Sequence, residues 1–210
     1  MTRLSAQDHD RVAAAIRAAE ARTSGEIYCV VAGASDRYFY PAALFALIGT
    51  LLAGVVCAFL LDFWWYSVRL PVFAIAQVLG SMTVLLVLFA LPALRIRLVP
   101  AYLQHRRAHD NALKQFLAHN VHVTAARTGI LIFLSLTERY AEVIADSGIA
   151  DRVEQARWNA IVTDLTETAR EDRLADGLVG AVEACGALLA ERFPPDPAGR
   201  NELADRVVEI

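Results

Sequence analysis

Thr128 to Asp146 reads TGILIFLSLTERYAEVIAD. Its first half is a nearly continuous apolar run of strand length, which suits a strand buried on both faces. From Tyr140 the pattern alternates, with Tyr140, Glu142, Ile144 and Asp146 on one side and Ala141, Val143 and Ala145 on the other. Thr137 and Glu138 fall between the halves as a two-residue turn, so the stretch predicts a β-hairpin. Far upstream, Glu26 to Ala32 (EIYCVVA) is rich in β-branched and aromatic residues and reads as another strand. A lone strand cannot bury its faces, so it needs the distant hairpin. The two segments are expected to form one α/β domain.

The chain between them is strongly apolar. No charge occurs from Pro41 to Leu61 or from Leu70 to Leu94. Each run is long enough to cross about 30 Å of hydrocarbon as a helix. The short link, Leu60 to Pro71, reads LLDFWWYSVRLP. Trp64, Trp65 and Tyr66 are amphipathic rings of the kind found at bilayer interfaces, and Pro71 suits a first helical turn. A transmembrane hairpin inserted in the domain is expected. Arg22 and Arg37 precede it, Arg95, Arg97, Arg106 and Arg107 follow it, and only Arg69 sits in the link. The positive-inside rule then places both termini in the cytoplasm of a bacterial inner-membrane protein, with Arg95 and Arg97 as interface anchors. Ala42, Ala46, Gly49 and Ala53 recur at helical spacing, for packing between the spans or for a dimer. No ionisable group sits at mid-depth, which argues against a transporter subunit.

The expected layout is residues 1–36 as the first part of the cytoplasmic domain, 37–97 as the hairpin (spans 41–61 and 70–94), 98–193 as the rest of the domain and 194–210 as a tail. Ser5 and Asp8 suggest a capping box opening a helix with Val12, Ile16 and Ala19 inward. After the spans, Leu103, Leu113, Phe116, Leu117 and Val121 mark the apolar face of another helix. Two further amphipathic helices follow the hairpin, one with Trp158 as core and one with Leu178, Val182, Cys185 and Leu189. The closing RNELADRVVEI either docks on the domain or holds a partner strand or helix.

The chain has 210 residues and a formal net charge of −3, so nucleic acid is not an expected partner. Cys29, Cys57 and Cys185 show no metal or redox spacing and read as buried thiols of a reducing compartment. No signal peptide is visible.

Candidate chemistry is sparse. Asp146 ends a strand and Arg127 begins its neighbour, so the two are expected close together. They suit a structural ion pair, or else a small anion or metal–phosphate site. His105 and His109, and His119 and His122, have spacings that place two ligands on one helix face, but no third ligand is evident and Arg106 and Arg107 adjoin the first pair. No GxSxG surrounds Ser135, and no glycine-rich phosphate loop occurs.

RTGILIFLSLTERYAEVIAD, with TSGEIYCVVA, the Trp158 helix, LADGLVGAVEACGALLAERFP and the terminal NELADRVVEI, resembles the TPM-domain family over essentially the whole chain. It is most similar to a bacterial membrane branch in which two spans interrupt the domain. The resemblance implies a compact α/β/α domain with a small central sheet. Secreted and plant members of the family are associated with photosystem repair, weak acid phosphatase activity and calcium binding. Some bacterial members neighbour LemA-type membrane proteins. The acidic metal loops of secreted members have no residue-by-residue match here, so no cofactor is expected, a divalent metal being the one alternative. Two functions remain open. One is an interaction or assembly module at the bilayer, with a membrane protein, possibly LemA-type in class, or a second copy as partner. The other is a membrane-anchored phosphatase-like hydrolase, with Asp146 and Arg127 as candidate catalytic residues.

Overall fold

The computed structural model describes residues 4–64, 66, 68–124, 126–150, 152–195 and 202–210. The elements run α1 (Ala6–Glu20), β1 (Glu26–Ala32), α2 (Phe39–Phe63), α3 (Leu70–Ala90), α4 (Pro92–Leu98), α5 (Ala101–Ala118), β2 (Gly129–Ser135), β3 (Tyr140–Ala145), α6 (Ser147–Ala150), α7 (Gln155–Arg170), α8 (Leu174–Arg192) and β4 (Val207–Glu209). The chain divides into two compact units, one of residues 1–35 with 105–210 and one of residues 36–104.

The first unit is an α/β/α sandwich around a four-stranded mixed sheet in the order β3-β2-β1-β4. β1 runs parallel to β2 from Glu26↔Gly129 to Ala32↔Ser135, and β2 runs antiparallel to β3. Parallel neighbours require a crossover connection. Here that crossover holds the whole second unit together with α5.

Alternation along the strands feeds two cores. Ile27, Cys29 and Val31 of β1 and Ile130, Ile132 and Leu134 of β2 face α1, α7 and α8, where Ile16, Trp158, Leu165, Val182 and Leu189 close the layer. Tyr28, Val30, Leu131 and Phe133 point the other way, against Ala108, Ala112 and Phe116 of α5. β3 divides as its alternation predicts, with Tyr140 and Ile144 on the α5 side and Ala141, Val143 and Ala145 opposite. The capping box of α1 is formed, with Asp8 N–H on Ser5 Oγ and Ser5 N–H on the Asp8 carboxylate.

Several expectations change. The face that α5 buries carries Ala108 and Ala112 beside the expected Phe116, while Leu113 and Leu117 are exposed. Small side chains let the helix lie close to the sheet, which turns the leucine row outward. The β2–β3 connection is a four-residue loop, Leu136–Arg139, rather than a two-residue turn, with Arg139 left-handed at φ 51°. Its Glu138 side chain is turned inward and buried. The closing stretch supplies a strand: β4 pairs parallel with β1, Cys29↔Val207 to Val31↔Glu209, and extends the sheet. Cys29 and Cys185 are buried free thiols, but Cys57 is exposed on α2.

In the second unit α2 and α3 have 25 and 21 residues, are long and apolar enough to cross a membrane, and leave their apolar side chains almost wholly uncovered. Gln77 Nε2 donates to the Thr50 carbonyl at 3.0 Å, inside the hairpin. Of the small-residue row, Ala42 and Ala46 pack against Leu88, Val84 and their neighbours, whereas a Cβ added at Gly49 would meet nothing within 4 Å. Gln77→Leu is expected to weaken the hairpin by about 1 kcal/mol, the usual worth of an interhelical hydrogen bond in lipid; a proximity reporter on α2 and α3 in vesicles would register the splaying.

The second apolar helix stops at Ala90 instead of reaching Leu94. Pro92 has no N–H for the Leu88 carbonyl and cannot continue the ladder. Arg95 makes up the deficit, donating Nε to Leu88 O and Nη2 to Phe89 O, each at 2.8 Å. Its guanidinium also lies 5.4 Å from the Phe39 ring centre. Arg95 thus satisfies the last carbonyls of α3.

Candidate functional site

β1, β2 and β4 all end at one edge of the sheet, because β1 is parallel to both neighbours. In open α/β sheets ligands bind beyond the carboxyl ends of such strands. A crevice of about 190 Å³ lies there, lined by Leu4, Val31, Gly33, Leu136, Leu174 and Glu209, with Ile210. A second hollow of about 350 Å³ runs between the first turns of α1 and α8, past Ser5, Asp8, Arg11, Arg173 and Asp176. Arg11 pairs with Asp176 at 2.7 Å and with Asp8 at 3.6 Å. Hydrogen bonds from Ser5 hold the Asp8 carboxyl below its ordinary range. Glu209 accepts from, or pairs with, His9 Nε2 at 3.1 Å.

At the same end of the sheet a latch joins the loops after β1 and β2. Ser35 N–H donates to Glu138 Oε1 at 2.9 Å, and Ser135 Oγ–H donates to Glu138 Oε2. The Ser135 proton is thereby committed, so Ser35 Oγ is the donor in their 2.9 Å contact. Thr137 Oγ1 closes onto Gly33 O at 2.6 Å. Ser135 is fully buried and serves the latch. The crevice therefore combines apolar walls from Leu4, Val31, Leu136, Leu174 and Ile210 with the Glu209 carboxylate, which suits recognition of a partner or ligand.

Asp146 and Arg127 lie at the opposite end of β2. Asp146 caps the α6 turn: its Oδ1 accepts Ser147 N–H at 2.6 Å and Ser147 Oγ–H at 3.2 Å. Asp146 Oδ2 is buried without a partner. Arg127 adopts φ 52°, and its side chain is exposed. The two residues are neighbours through the backbone, since a Cβ on Gly148 would stand 2.5 Å from Arg127 O. Among the described residues they form no ion pair. Trp64 and Tyr66 are 71% and 69% exposed at the hairpin turn, and Arg97 is exposed on α4. Trp65 lies outside the described residues.

On the α5 face, His109 Nδ1 meets both oxygens of Glu142 at 2.9 Å, and the His119 ring lies on Tyr28 with a 3.1 Å contact to its hydroxyl. Burial, then the nearby Arg206, lowers the His119 pKa. Among the described residues no group of three or more His, Cys, Asp or Glu side chains is placed to hold a metal ion.

The crevice escapes a reading of the sequence because its walls come from five separated segments with no local motif. The usable signal is the parallel arrangement itself, which needs β4 to complete the edge.

A family model described as TPM domain matches residues 93–188. No curated protein matches the chain. The solution NMR structure of the BA42 protein from the psychrophilic bacterium Bizionia argentinensis is similar with a TM-score of 0.61 at 18% identity, over 100% of this chain and 97% of that one. At such identity the likeness is one of fold. Over residues 93–188, which hold α5, the β2–β3 hairpin and α7, the chain matches the TPM domain.

Proposed function

We propose that this chain is an integral protein of the bacterial inner membrane, held by α2 and α3 with both termini cytoplasmic, whose TPM domain serves as an interaction or assembly module. The observation that carries it is the parallel pairing of β1 with β2, seven residues on each side of the inserted hairpin. Strands that flank a hairpin and pair with each other require both of its ends on one side of a bilayer. The arginines around α2 and α4 favour the cytoplasm as that side. The crevice beyond β1, β2 and β4 offers the module a recognition surface. A membrane protein, of LemA type or a second copy of this chain, is the partner class that such anchoring favours.

Affinity capture of the full chain from detergent-solubilised membranes is expected to retain a stable membrane-protein partner or a second copy. A monodisperse monomer in several detergents would count against the module. For the topology, a cysteine at Val68, in the hairpin turn, should react with a membrane-impermeant thiol reagent from outside the cell; reaction only from the cytoplasmic face would reverse it.

A second reading, a membrane-anchored and metal-assisted phosphatase, draws on Asp146. Its buried, unpartnered Oδ2 is a lone-pair site that a divalent cation would satisfy. Purified protein should then turn over a generic phosphoester with added divalent metal, and Asp146→Asn should abolish turnover. Activity that survives this change would remove Asp146 from the site.

A further inference from the structure

His105 and His109 stand one turn apart on α5, about 40° apart around its axis. They share the side of the helix that carries buried Ala108 and Ala112 and so face β3. There the sheet presents Tyr140 and Glu142 two residues apart on one face. The His105 ring lies 5.4 Å from the Tyr140 ring, centre to centre. The Tyr140 hydroxyl donates to Glu142 Oε2 at 3.0 Å, and Glu142 holds His109 Nδ1 with both oxygens.

The carboxylate can only accept, so Nδ1 of His109 carries the hydrogen. That leaves the Nε2 lone pair of His109 free to bind. A ligating histidine whose second nitrogen donates to a carboxylate is the usual outer-shell arrangement around bound metals. Arg106 and Arg107 do not obstruct it, since they project about 100° and 200° around the helix from His105. The His109 side chain is 46% exposed, so an ion can reach it.

We propose that His105 and His109 form an exchangeable site for a transition-metal dication of the zinc class, with Glu142 as the outer carboxylate that orients His109. Imidazole suits such ions. Two protein ligands leave coordination positions for water or an incoming donor, so the ion is expected to exchange readily.

The test is calorimetric titration of the full chain in detergent with zinc chloride. One saturable site per chain is expected. His105→Ala and His109→Ala should each weaken it at least tenfold, and Glu142→Ala by roughly 10–100-fold. His119→Ala, just past the end of α5, should leave it unchanged. Nitrogen NMR should show the Nε2 resonance of His109 moving on titration while Nδ1 stays protonated, a change that a purely structural His109–Glu142 pair would not give. Should His109→Ala melt early without metal, His105→Ala carries the test, because that ring only stacks on Tyr140. Absence of a saturable site, or binding as tight in His105→Ala as in the parent chain, overturns the proposal, and so does loss of binding in His119→Ala.

Discussion

Phe133→Ala is expected to remove about 3–5 kcal/mol of stability, the usual cost of deleting a buried aromatic ring. Phe133 is fully buried in β2, a central strand paired on both sides. Its ring points toward α5 and shares a cluster with Ala108, Ala112 and Phe116. Alanines that already lie close to the sheet have no side-chain length with which to fill the hole. The loss is a large part of the 5–15 kcal/mol that holds an ordinary domain together. Chemical denaturation of the full chain in detergent should show a lower midpoint for the domain transition with an unchanged slope. A loss below about 1 kcal/mol would mean that α5 packs less closely on the sheet than described.

The second large effect is a pH dependence centred on Glu20. Its carboxyl accepts the Ile27 N–H at 2.8 Å and is pushed up to about 8, chiefly by burial and further by Glu26 and Asp205. Glu26, which accepts the N–H groups of Glu202 and Leu203, is raised for the same leading reason. A carboxyl raised in the folded state holds its proton more tightly there than in the unfolded chain. The stability it contributes is therefore complete below its ordinary value near 4.5 and is lost as pH rises through about 8. The domain is expected to melt at lower temperature at pH 8.5 than at pH 5.5, with about 2 kcal/mol at stake once solvent screening of the partly exposed group is allowed for. Glu20→Gln keeps an acceptor for Ile27 and supplies a permanent donor toward Asp205. It should flatten the pH profile and stabilise the domain at pH 8.5. An equally steep profile in that variant would assign the dependence to other groups.

Period and length made much of the fold legible. The alternation of Tyr140 to Ala145 sorted correctly onto the two faces of β3, and the unbroken run of β2 matched a strand buried on both sides. The uncharged runs located α2 and α3 because length alone decides what can cross a bilayer. The misreadings have local causes. Pro92 ends α3 by removing the hydrogen that Leu88 O needs, and the runs of apolar letters on either side hide the break. β4 is three residues long and draws its stability from β1, so no periodicity betrays it. Leu113 and Leu117 outrank alanine on any hydrophobicity scale, yet close approach favours the smaller side chain. At the candidate sites, adjacency of Arg127 and Asp146 was readable from the hairpin, but the left-handed backbone at Arg127 and the Ser147 cap on Asp146 govern where the side chains go. Glu142 reached His109 only through tertiary packing.

The position of the hairpin within the crossover also orders events during synthesis. β1 leaves the ribosome about a hundred residues before its partner β2. At roughly 5–20 residues per second, β1 waits on the order of 5–20 s, during which α2 and α3 are made. Its other neighbour, β4, comes later still. If α2 and α3 span a bilayer as proposed, both ends of the apolar hairpin must lie on one side before β1 can meet β2. A chain inserted with one end astray would leave Ile27, Val30 and the strands of the hairpin unpaired and open to proteolysis. On that proposed topology, completion of the sheet would report that the hairpin's two ends share one side of the bilayer.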